Sequence, residues 1–109
     1  SADPARRREL DAIPGALDVL AAGVADSVAS GLAGLTRDLE LQVEPPDVAW
    51  DAVAAPVDLW YGERDTTAPP AFGRWWAETL RWGELTVVPG AGHLVALSHW
   101  QPILTRLLA

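Results

Sequence analysis

Residues 56–65 read Pro-Val-Asp-Leu-Trp-Tyr-Gly-Glu-Arg-Asp, and residues 84–93 read Glu-Leu-Thr-Val-Val-Pro-Gly-Ala-Gly-His. Each stretch is a short apolar run that passes through a glycine turn and ends on a side chain able to hold or move a proton. Val57–Tyr61, apolar apart from Asp58, and Leu85–Val88 have the length and residue types of strands. Between them, Pro69-Pro70 opens a helical pattern whose inner face is read as Phe72, Trp75, Trp76 and Leu80, with Gly83 ending it. Gly73 inside that helix costs about 1 kcal/mol relative to alanine, so it marks a close helix–sheet approach. Trp100-Gln101-Pro102 precedes a last helix carrying Ile103, Leu104, Leu107 and Leu108. Strand, helix, strand, helix defines an α/β class, with parallel strands joined by a right-handed crossover.

Ligands and catalytic groups in parallel α/β sheets collect at the C-terminal edge of the strands. Asp65 and His93 both leave strands at that edge. His93 follows Pro-Gly-Ala-Gly, a turn that can project an imidazole above the sheet, and Asp65 can accept the Nδ1–H of that imidazole. An acid that orients a histidine, which in turn removes a proton from a nucleophile, is the arrangement that acyl transfer requires. Taken singly, Asp65 is a turn residue and His93 a loop residue; their matched positions after consecutive strands pair them. Asp38 is the rival acid, ranked lower because no strand precedes it.

The two motifs together resemble the C-terminal end of an α/β-hydrolase. Pro56–Asp65 is similar to the seventh strand with its acid-bearing turn, and Leu85–His93 to the eighth strand and the histidine loop. Gly31–Leu39 (Gly-Leu-Ala-Gly-Leu-Thr-Arg-Asp-Leu) resembles the helical cap segment that precedes the seventh strand in one branch of that family. The resemblance implies a partial α/β-hydrolase fold, with a helical cap-like segment at 1–45 and a β-α-β-α core segment at 46–109. It implies catalytic roles for Asp65 and His93 in hydrolysing an ester, amide or similar bond. Family chain order runs nucleophile, acid, histidine, yet no Gly-x-Ser-x-Gly lies upstream of Asp65 and the first five strands have no counterpart. The expectation is therefore a C-terminal fragment, inactive by itself. Its missing N-terminal half would supply a nucleophilic serine, or an aspartate as in haloalkane dehalogenases and epoxide hydrolases. A small-molecule substrate is expected only for the complete enzyme.

The first half is helical in pattern. Asp3-Pro4 reads as a cap and first-turn pair for a helix over 5–12. Leu17, Leu20, Val24 and Val28 recur at helical spacing and read as ordinary core, and Leu32, Leu35 and Leu39 continue the pattern to about Leu41. Glu44-Pro45-Pro46 marks the linker into the second half.

Composition narrows the partners. The 109 residues carry 8 basic residues, all arginine, against 15 acidic ones, for a net charge of −7. Nucleic acid and anionic membrane are both disfavoured by that charge. There are no cysteines, no P-loop, no dinucleotide fingerprint and no zinc spacing, so no cofactor or metal is expected. Arg6-Arg7-Arg8 reads as a solvated helix face, because Asp11, Asp18 and Asp26 break any apolar leader; the expected location is cytoplasmic. Ser27, Ser30 and Ser98 lack elbow glycines, His99 reads as a helix-start residue, and Glu63 and Arg64 as exposed turn residues. A two-stranded sheet leaves unpaired edges. The alternative expectation is thus a non-catalytic association module that docks onto a missing half or a second copy of itself.

Overall fold

In a computed structural model, which describes residues 3–109, two strands and six helices follow one another along the chain. Helix α1 spans Pro4–Asp11, α2 Ala16–Val28, α3 Ala33–Val43, strand β1 Val57–Gly62, α4 Pro70–Thr79, β2 Gly83–Val88, α5 Val95–Ser98 and α6 Trp100–Leu108, with a single 3₁₀ turn at Trp50–Ala52. The strands are parallel, as the β-α-β order requires. Their register pairs Val57 with Gly83 and runs through to Gly62 with Val88. In coarse class the chain is α/β.

Packing divides the described chain at other points than the expected boundary at 45/46. Ala49–Ala109 and the chain through Ile13 form one compact unit, and Pro14–Val48 forms another. Helix α1 therefore falls in the same compact unit as the strands. Its start follows the sequence signal: Asp3 accepts the Ala5 amide at 2.9 Å, and Pro4 occupies the first turn, where no amide partner is needed.

Alternation along a strand sends odd and even residues to opposite faces. Tyr61 and Leu85 meet α4 at Gly73, where a β-carbon would come within 2.7 Å of the Tyr61 ring and 2.6 Å of Leu85 Cδ1. The helix consequently turns Gly73, Trp76, Ala77 and Leu80 inward, at i, i+3, i+4 and i+7. This corrects the expected inner face. Phe72 and Trp75 point outward, 53% and 52% exposed, because the close approach at Gly73 fixes which side of α4 faces the sheet. Trp76 stays half-buried, edge-on to Trp50 at 4.9 Å and to Trp75 at 4.7 Å.

The opposite face carries Asp58 and Glu84, partners in the strand register. Arg106 of α6 reaches both, Asp58 Oδ1 at 3.3 Å and Glu84 Oε2. Partly exposed pairs of this kind contribute about 0–1 kcal/mol each, so they orient α6 more than they hold it. The one-turn helix α5 was not foreseen, since four residues are too few to show a period. It buries Val95 beside the histidine loop.

The second unit consists of α2 and α3, bent by 98°. The stripe Leu17, Leu20, Val24 and Val28 was expected to be core. It is exposed along its length, as are Leu32, Leu35 and Leu39. Two short helices cannot enclose an apolar stripe between them, and helical spacing reports a face without saying what covers it. Among the described residues no single helix is long and apolar enough to cross a membrane, although α2 and α3 together are so by length and composition.

Candidate active site

The turn after β1 and the loop after β2 are laced together by backbone. The Glu63 amide donates to Val88 O at 3.0 Å and the Arg64 amide to Ala91 O at 2.9 Å. The Asp65 amide closes the turn onto Gly62 O at 3.1 Å. Glu63 adds a side-chain link, its Oε2 accepting the Gly90 amide at 2.8 Å. Gly62 is buried beneath these bonds. A β-carbon there would overlap the Gly92 carbonyl oxygen and lie 2.6 Å from that of Ala91, so only glycine lets the two loops come this near.

Asp65 is the one buried charged residue among those described, at 7% exposure. Its two oxygens have separate tasks. Oδ1 accepts the amides of Thr67 at 2.8 Å and Ala68 at 2.9 Å, and Oδ2 lies 3.0 Å from His93 Nδ1. Burial pushes its pKa up. The Ala68 amide, the His93 ring and the Thr67 amide outweigh that effect and hold the carboxyl below its ordinary value. An ionised carboxylate can only accept a hydrogen bond, so Nδ1 carries the proton of a neutral His93 ring and Nε2 is left with its lone pair. The His93 side chain remains 39% exposed, which leaves the imidazole open to solvent and to reacting groups.

The structure thus brings together the two residues singled out in the sequence. The others fall elsewhere. Asp38 lies within α3, exposed, and not at a strand end. His99 sits at the N-terminal boundary of α6, with its Nδ1 2.8 Å from Ser98 Oγ. Ser98 and Ser27 hydroxyls also donate to carbonyls of their own helices, Val95 O and Val24 O, as helical serines do. Among the described residues no group of three or more His, Cys, Asp or Glu is placed to hold a metal.

Two participants were missed. Glu63, read as a solvent-exposed turn residue, is exposed but also holds Gly90 of the histidine loop. Glu9, in α1, accepts the amides of Gly92 and Leu94 on either side of His93. No local signal announces a contact across more than eighty residues. Only the folded chain shows that Glu9 is half-buried, on a helix whose arginines read as a solvated face.

No family model, no curated protein and no solved structure matches this chain.

Proposed function

We propose that this chain supplies the acid and the histidine of a nucleophile–histidine–acid hydrolase of the α/β-hydrolase type, acting on an ester, amide or similar bond. The observation that carries this reading is the Asp65–His93 hydrogen bond at the C-terminal ends of two parallel strands. Asp65 fixes the tautomer and ring orientation, and its charge favours the imidazolium that forms when Nε2 takes a proton. The nucleophile comes from a segment other than these 109 residues. No serine here stands on the strand–turn–helix elbow that would expose it.

The test is to express the chain with the reading frame that precedes it and follow hydrolysis of p-nitrophenyl acetate. Turnover lost in both His93→Ala and Asp65→Ala is the expected result. Turnover indifferent to both, or a preceding frame without a nucleophile elbow, overturns the proposal.

A second reading has its own observation. Among the described residues the sheet has only two strands, and Phe72, Trp75, Trp82 and Trp100 of the same unit are exposed. Edges and apolar surface of this kind suit association with a second copy in a closed twofold dimer. Light scattering across a concentration series separates the possibilities: a folded species that stays at monomer mass at high concentration removes the dimer.

A further inference from the structure

Arg6 and Glu9 are three residues apart on α1 and so share a face. Arg6 Nη2 donates to Thr67 Oγ1 at 3.0 Å. Thr67 is the residue whose amide grips Asp65 Oδ1. Glu9 places its two oxygens on the amides of Gly92 and Leu94, the latter at 3.3 Å, and these residues bracket His93. One helical turn therefore touches both loops that carry the proposed catalytic pair. The fit at Gly92 is close, since a β-carbon there would lie 2.6 Å from Glu9 Oε1. Between α1 and the pair remains a cavity of about 20 Å³, lined by Arg6, Glu9, Asp65 and His93 among others. That volume holds about one water, so α1 sits close against the pair.

We propose that Glu9 is a positioning residue for His93, and that α1 acts as a clasp setting the loop geometry in which the imidazole meets Asp65. The proposal rests on the hydrolase reading for its purpose, but its physical content is independent of any turnover. The loop 89–94 has no helix or strand of its own to satisfy its amides. Glu63 takes one of them and Glu9 takes two, and an amide held by a carboxylate is bonded more strongly than one held by a neutral acceptor. Without Glu9 the segment on both sides of His93 is free to move, and the ring loses its fixed approach to Oδ2.

Nuclear magnetic resonance of the 109-residue chain tests this without a substrate. The readouts are the His93 Nδ1–H proton and the exchange rates of the Gly92 and Leu94 amides. Glu9→Ala is expected to speed exchange at both amides by about tenfold or more and to broaden or abolish the Nδ1–H signal. Asp65→Asn is expected to remove that signal while leaving the two amides protected, which separates clasp from pair. If circular dichroism shows Glu9→Ala unfolded, Glu9→Gln decides. It keeps one acceptor, so one amide should stay protected and the other should not. Wild-type exchange and a wild-type Nδ1–H signal in whichever Glu9 variant folds overturn the proposal. An extended protein without His93-dependent turnover would sink the hydrolase reading and leave this one standing.

Discussion

Gly62 lies so close beneath the Gly92 carbonyl that a β-carbon at Gly62 would overlap it. This approach is what allows the end of β1 and the loop after β2 to share backbone hydrogen bonds, and it brings Asp65 within reach of His93. The site depends on a missing side chain as much as on the two that are present.

Gly62→Ala should therefore push the two loops apart. Overpacking of this kind costs about 1–3 kcal/mol, visible as a lower urea midpoint, and the His93 Nδ1–H resonance should disappear with it. A variant of unchanged stability with the resonance intact would show that the loops have slack.

Gly73→Ala sets two effects against each other. Alanine improves helix propensity by up to about 1 kcal/mol, while its methyl group intrudes on Tyr61 and Leu85 at a cost of about 1–3 kcal/mol. The Tyr61 ring is stiff and has neighbours on the sheet, so the steric term should win and urea denaturation should report net destabilisation. Net stabilisation would mean that α4 can lift from the strands freely.

Acid should weaken the fold through Asp65. Its folded pKa is lowered, so the unfolded chain binds the proton more readily. The resulting stability is fully present above the unfolded value of about 3.9 and is lost as pH falls through the folded value. Between pH 5 and pH 2 the stability gap between the wild-type chain and Asp65→Asn should narrow. A gap that widens on acidification would reverse the assigned direction.

The chain as it stands should not turn over p-nitrophenyl acetate. Slow cleavage unaffected by His93→Ala and Asp65→Ala would be unspecific. Cleavage abolished by both would reveal a nucleophile within these residues.

How much of this was legible in the sequence depended on how local the cause was. Asp3-Pro4 announced α1, and the two apolar runs announced β1 and β2, because caps, prolines and β-branched residues act on their own neighbours. Gly73 was legible as a close approach for the same reason. The direction of α4 was not: Phe72 and Trp75 fit a helical period as well as the true face does, and only the sheet beneath Gly73 chooses between them. The exposed stripe of α2 failed similarly, since apolar spacing reports a face but not its cover. Asp65 and His93 could be paired because parallel strands end at one edge. Glu9 could not be joined to them, because nothing in a helix encodes the distant amides that it meets.

The two oxygens of Asp65 are not interchangeable, and this has a consequence for the gentlest change that can be made there. Oδ1 is claimed by two amides, which only donate, so an asparagine at this position must turn its carbonyl toward Thr67 and Ala68. Its NH₂ then faces His93 Nδ1. A donor at that nitrogen selects the opposite tautomer, with Nδ1 bare and the proton moved to Nε2. Shape and volume would survive almost untouched, while the hydrogen bond would run backwards, and the ring would offer a proton where the proposed hydrolysis asks it to accept one.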